Sequence, residues 1–155
     1  MVLSQKSQYA VRAVFELAKK EGLGPVKAAH IAEAQHVPVR FLENILGQLR
    51  QAGLIESVRG REGGYRLRRA PRDIAVGEII RLIQGPMSAI ECAEAATDGH
   101  SGSGRNCPLR PGCVLLPMWE EAHRAMMDVF DGTTFGDLVE QERAANECEA
   151  INYAI

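Results

Sequence analysis

Three of the four cysteines, Cys92, Cys107 and Cys113, fall in one stretch of the 155-residue chain, apart from Cys148 near its end. Cys107 and Cys113 bracket Pro108 to Gly112, and residues 93–112 read as a loop of small and polar residues broken by Pro108, Pro111 and Gly112. Thiolates carried by a loop can wrap an iron–sulfur cluster or a zinc ion. Left unligated, they are inert or redox-active thiols. The spacing is not the short Cys-x2-Cys pair of common zinc sites, so it leaves both readings open.

The second chemistry is cationic. Residues 1–75 carry 13 Lys or Arg against 7 Asp or Glu, and residues 76–155 carry 5 against 13. The whole chain is at -2, so the overall charge hides a basic half joined to an acidic one. Such a split points to a nucleic-acid footprint, against the plainer reading of a merely dipolar surface. Arg40, Glu43, Asn44, Gln48 and Arg50 are candidates for base edges and phosphates. Arg40 can bond a guanine edge or a phosphate, and Glu43 can accept from a cytosine amino group. Asn44 and Gln48 have suitable groups, but the sequence leaves their direction open. Arg59 and Arg61, beside Gly60, suit a minor groove, whose negative potential favours guanidinium. Arg66, Arg68, Arg69 and Arg72 suit phosphates.

The elements that must carry these residues follow from periodicity. Ala10, Val14, Leu17 and Ala18 predict a helix from Ser7 to Lys20, with Tyr9 and Val11 broadening its apolar face. A short helix over Val26 to Ala34 follows. After the tight connection Gln35-His36-Val37 comes a third helix over 38–52, expected to bury Phe41, Leu42, Ile45, Leu46 and Leu49. Three short helices with a tight break between the last two describe a helix-turn-helix. Leu54 to Arg59 and Tyr65 to Arg69 alternate as strands around Gly60 to Gly64, which makes a wing. Val76, Ile79, Ile80 and Ile83 predict a helix over 75–84. Leu115, Trp119, Ala122, Met126 and Val129 form a short heptad seam over about 114–130, suited to a second subunit. Thr134-Phe135-Gly136-Asp137 resembles a capping box before a last helix that loses apolar periodicity after about 142.

The fold class expected is therefore mostly α with a small β wing. Residues 1–75 form a winged helix-turn-helix head. Residues 76–142 hold a connecting helix, the cysteine loop and dimerisation helices, and 143–155 a flexible tail. A two-fold dimer would favour an inverted-repeat operator in double-stranded DNA, its half-sites about one helical turn, roughly 34–36 Å, apart. No apolar run reaches the roughly 18 residues of a membrane helix, and no secretory signal opens the chain, so the cytoplasm is the expected location. Gly60 to Gly64 lacks the Lys-Ser/Thr of a phosphate-binding loop, and no nucleophile, base and acid converge, so no enzyme is expected. His30, His36 and His123 read as structural or surface residues, with His123 on the charged side of its helix.

The chain resembles the bacterial winged-helix regulators typified by the iron–sulfur regulator IscR, the nitric-oxide-sensing NsrR, the iron regulator RirA and the cysteine-metabolism repressor CymR. The resemblance rests on Leu3-Ser4-Gln5-Lys6, Tyr9-Ala10-Val11-Arg12, Ile31-Ala32-Glu33, Phe41-Leu42-Glu43 and Ala52-Gly53-Leu54. It continues through Ser57-Val58-Arg59-Gly60, Gly63-Gly64-Tyr65, Trp119 and Thr134 to Val139. It implies a homodimeric transcription regulator, usually a repressor, sensing iron, redox state or nitric oxide. It also implies that Cys92, Cys107 and Cys113 are the metal ligands of an iron–sulfur cluster, of 4Fe–4S type with 2Fe–2S as the alternative. The fourth ligand is missing from its usual places, since Leu116 stands where the IscR branch has histidine and Gln8 where the NsrR branch has aspartate. His100 and Glu91 are further candidate donors. The other reading is a cluster-free regulator answering to a metabolite or a partner protein, or a metal or redox adaptor that does not bind DNA.

Overall fold

The computed structural model describes residues 3–85 and 112–152. Cys92, Cys107, His100, Glu91 and the loop assigned to 93–112, apart from Gly112, lie outside the described residues. Helix α1 spans Gln5–Lys19, with Ser4 as its N-cap accepting from the Ser7 amide at 3.1 Å. Its stripe of Ala10, Ala13, Val14, Leu17 and Ala18 is buried, and the other elements of the head pack around it. The small side chains let neighbours approach closely. Helix α2 spans Ala28–Ala34 and α3 spans Val39–Gln51. The expected start of α2 at Val26 is two residues early, because Val26 instead exchanges both backbone hydrogen bonds with Tyr65, each 2.8 Å.

The turn between α2 and α3 is fastened from below. Glu16 of α1 is a buried carboxylate at 2% exposure, and the Gln35 side-chain amide donates to it at 2.9 Å. His30 of α2 lies 3.6 Å from the same carboxylate. His36 takes φ 50°, the left-handed conformation that reverses the chain tightly. Leu42, Ile45, Leu46 and Leu49 of α3 are then fully buried. Phe41 is not: it is 60% exposed, contrary to expectation. One residue before Leu42, it is turned about 100° off the buried stripe, and apolarity alone does not bring it inward.

Strands β1 (Ile55–Val58) and β2 (Gly64–Leu67) pair antiparallel with Ile55 opposite Leu67 and Val58 opposite Gly64. After a 3-10 turn at Pro71–Asp73, helix α4 spans Val76–Gln84, burying Ile79 and Ile80 against α1. Its last side chain, Gln84, reaches back to the start of α1, accepting from the Ser4 amide at 2.8 Å and the Ser7 hydroxyl at 3.1 Å.

Helix α5 spans Leu116–Gly132 and α6 spans Phe135–Asn152. The start of α6 is stitched to the start of α4 by Val76 N–H to Thr133 O and Phe135 N–H to Ile74 O, both 3.0 Å. Phe135 and Ile74 are fully buried at this seam, and burying a phenyl ring there is worth about 2–3 kcal/mol. The capping box forms as read: Asp137 N–H donates to the Thr134 hydroxyl oxygen at 3.1 Å, and Thr134 N–H donates to the Asp137 carboxylate at 2.9 Å. Helix α6 runs on to Asn152, ten residues past the point where its apolar pattern ends. Among the described residues no helix is long and apolar enough to cross a membrane.

Candidate nucleic-acid interface

The exposed side of α3 follows from its buried side. Arg40, Asn44, Gly47 and Gln51 recur at i, i+4, i+7 and i+11 and form the line opposite Leu42, Ile45, Leu46 and Leu49. Glu43 and Arg50 flank that line on one side, Phe41 and Gln48 on the other. Arg40, Glu43, Asn44 and Arg50 are exposed, whereas Gln48 is half-buried and its amide donates to the Asn44 Oδ1 at 3.4 Å. The direction that sequence left open for Asn44 and Gln48 is thus toward each other along one face.

One neighbour of this face was not legible as such. The N-terminal turns of α1 and α3 frame a cleft of about 710 Å³ lined by Gln5, Lys6, Tyr9, Arg40, Phe41 and Asn44. Periodicity puts Tyr9 at the wider edge of the apolar stripe and the charge count takes in Lys6, but neither is a candidate DNA contact from sequence. Their spacing of three puts both on one side of α1, but which side meets α3 depends on the interhelical packing.

The wing follows α3 directly, with β1 packed against that helix. Its tip runs from Arg59 to Gly63, closed by Gly63 N–H donating to Gly60 O at 3.0 Å. Gly60 has φ +114°, a conformation that a side chain resists. Arg59 and Arg61 are exposed at this tip, and neither has an ion pair among the described residues. Arg68 is exposed near the α3–β1 turn, where its guanidinium would stand 3.8 Å from a Cβ built on Gly53. Arg66 is committed differently: it faces Glu56 across the ladder and forms an ion pair with it. Arg69 pairs with Glu78 and Arg72 with Glu140, so these two cations brace the head against α4 and α6.

Of the three cysteines proposed as ligands, only Cys113 is among the described residues. It is half-buried, and its carbonyl accepts a long 3.4 Å hydrogen bond from Leu116 at the first residue of α5. No cluster of three His, Cys, Asp or Glu suited to a metal occurs among the described residues. Gln8, at the position where an aspartate ligand would stand, spends its amide on the Leu3 carbonyl at 3.0 Å. His123, read as a structural or surface residue, is half-buried, and its Nδ1 is buried without a partner among the described residues.

Helix α5 has no fully buried residue. Met126, Met127 and Phe130 pack partly against the buried core, while Leu115, Trp119, Ala122 and Val129 of the predicted seam are exposed. Met126, also counted in the seam, is the exception that turns toward that core. An exposed stripe that includes Trp119 and Val129 at 65% exposure is unusual for a solitary soluble chain.

Comparison with known proteins agrees with this architecture. The Rrf2 family pattern, described as an iron-dependent transcriptional regulator, matches residues 3–141. The transcriptional regulator IscR of Aliivibrio salmonicida is 34% identical over 139 residues, covering 90% of this chain and 77% of that one. The regulator CymR of Bacillus subtilis is 34% identical over 138 residues, covering 89% of each. Among solved structures, CymR of B. subtilis, the global cysteine regulator of that organism, superposes with a TM-score of 0.74 at 31% identity over 91% of this chain and 98% of that one. IscR of T. potens gives 0.73 at 34% identity over 94% and 90%. With an exposed recognition face on α3, a wing beside it and these matches along nearly its whole length, the chain belongs to the Rrf2 family of helix-turn-helix transcriptional regulators.

Proposed function

We propose that the protein is a homodimeric DNA-binding repressor whose operator affinity is set by the segment bearing Cys92, Cys107 and Cys113, through an iron–sulfur cluster. The observation that carries this reading is the meeting of two surfaces on one chain. Arg40, Glu43 and Asn44 face outward beside a wing with Arg59 and Arg61, and an uncovered apolar stripe running into α5 begins at Leu115, two residues after Cys113. A second copy of α5 would cover that stripe and set two heads against an inverted repeat. The organisation is then a head over 1–75, a connecting and dimerising part over 76–142, and a terminal segment over 143–155.

The donor set fits a soft metal centre, because three thiolates are the ligands that iron–sulfur clusters take. Cys113, half-buried at the root of α5, is placed to transmit order in that segment to the helix. When bound, an iron–sulfur cluster, of 4Fe–4S type with 2Fe–2S as the alternative, supplies a redox-active crosslink between these thiolates. The chain's part is mechanical. With a cluster held just before α5 the two heads are held differently, and DNA affinity follows only if the two arrangements differ in their fit to DNA. The matches to CymR, together with Leu116 and Gln8 at the fourth-ligand positions, support a second reading, a cluster-free regulator whose segment answers to a metabolite or partner protein.

Anaerobic purification, absorbance and Mössbauer spectra, and binding to the DNA upstream of its own gene with and without the chromophore test the first reading. An iron-bearing protein that loses its colour on Cys113→Ser and changes operator affinity with it supports the cluster. A colourless, iron-free protein that binds the operator equally under both conditions removes the cluster and leaves the regulator. Sedimentation of Val129→Asp as a monomer beside a dimeric wild type supports the α5 interface; a monomeric wild type at low micromolar concentration ends it.

A further inference from the structure

Gly47 occupies the middle of α3, half-buried itself but on the line between the exposed Asn44 and Gln51. Glycine in a helix interior costs stability relative to alanine, so its presence needs a reason. The head provides none. Gly47 is not among the glycines with positive φ, and a Cβ built there would meet nothing within 4 Å. By contrast, a Cβ on Gly64 would collide with the Val26 carbonyl, and one on Gly136 with Arg72. Those glycines are required by the fold; Gly47 is not.

Its surroundings point outward instead. Arg40 and Asn44 precede it on the same line, Glu43 lies beside it, and the Asn44–Gln48 hydrogen bond runs along its flank. The major groove is about 12 Å wide, and an α-helix with its side chains is about 10–12 Å across, so a docked helix has little clearance. We propose that Gly47 is the point of closest approach between α3 and a DNA duplex. It is a positioning residue whose missing side chain lets the helix seat deeply enough for Arg40, Glu43 and Asn44 to reach base edges. This rests on the DNA-binding reading given above.

The test uses the full-length chain, its Gly47→Ala and Gly47→Leu variants, and two probes: a duplex enriched by the wild type from a random-sequence pool, and an unselected duplex. Gly47→Ala is expected to raise the thermal midpoint by about 2–4 °C, since it removes only a helix-breaking residue from an open surface. Affinity for the enriched duplex is expected to fall about 10-fold with Ala and roughly 100-fold or more with Leu, as base contacts are lost. Binding to the unselected duplex, carried by phosphate contacts, stays within about 2-fold. A stabilised Gly47→Ala variant and a folded Gly47→Leu variant that both bind the enriched duplex like the wild type overturn the proposal while the DNA-binding reading stands. So does a loss of equal size on both duplexes. A wild type that enriches no sequence overturns the DNA-binding reading and this proposal with it.

Discussion

The Lys19 ammonium donates to the Glu142 carboxylate at 3.0 Å, which pins the first helix of the head to the last helix of the chain. Lys19 also lies 3.7 Å from the buried Glu16 carboxylate that holds the turn before the recognition helix. The hydrogen bond to Glu142 raises the Lys19 pKa above 10.5, with partial burial opposing and the charges of Glu16 and Glu142 adding to the rise. A raised lysine pKa contributes stability fully below its unfolded value, and that contribution is lost as pH climbs through the higher folded value. Glu142→Gln is therefore expected to lower stability by about 0.5–1 kcal/mol at neutral pH, a small effect because the pair is partly solvated. Urea titrations of the two proteins should converge at strongly alkaline pH.

The α6 cap has the opposite sign. The Thr134 hydroxyl donates to Asp137 at 2.7 Å and its amide at 2.9 Å, holding the Asp137 carboxyl below its usual 3.8, with Arg72 adding to the effect and desolvation opposing it. A depressed carboxyl pKa contributes stability above the unfolded value and loses it as pH falls through the folded one. Asp137→Asn should thus be the less stable protein at neutral pH and match the wild type only in strong acid. Thr134→Ala should cost about 1 kcal/mol in thermal unfolding, the usual loss for an N-cap hydroxyl.

Leu42 and Phe41 are adjacent in sequence and opposite in consequence. Leu42 is fully buried, and Leu42→Ala should cost about 2–5 kcal/mol by chemical denaturation. Phe41, 60% exposed, should change stability by less than about 0.5 kcal/mol when cut to Ala. Any marked effect of Phe41→Ala should show in DNA binding.

At Gly64 a Cβ would stand 2.4 Å from the Val26 carbonyl oxygen and 2.5 Å from its carbon. Both are backbone and cannot move aside as a flexible side chain would. Gly64→Ala should therefore destabilise the head by about 1–3 kcal/mol and weaken operator binding more than Arg66→Ala does. Calorimetry and a binding titration on the two variants check the order.

Much of this architecture was readable in advance. The helical stripes of α1, α3 and α4 announce themselves because each buries a run at spacings of three and four, and the wing because Tyr65 and Leu67 alternate with Arg66 and Arg68. What escaped was set by partners distant in sequence. Val26 ends the α1–α2 connection as a bridge to Tyr65, 39 residues on, and so delays α2. Arg66 looked like a free phosphate contact until the register put Glu56 opposite it. Phe41 was counted inward on hydropathy, although its angular position denies it the core. Of the apolar stripe read over 114–130, Leu115, Trp119, Ala122 and Val129 are exposed, whereas Met126 packs partly against the buried core. Charge counting singles out Arg40 and spacing gives no reason to set Lys6 and Tyr9 beside it; their shared cleft comes from how α1 packs on α3.

The two hydrogen bonds between Val26 and Tyr65 make the wing a third-party attachment: its returning strand hangs from the linker ahead of α2 as well as from β1. The hairpin consequently cannot swing away from the helix-turn-helix without breaking those two hydrogen bonds. Reading elements so clamped together travel as one rigid tool. Under the proposed dimer, a signal would act on where each such unit is held, leaving the shape of its cutting edge untouched.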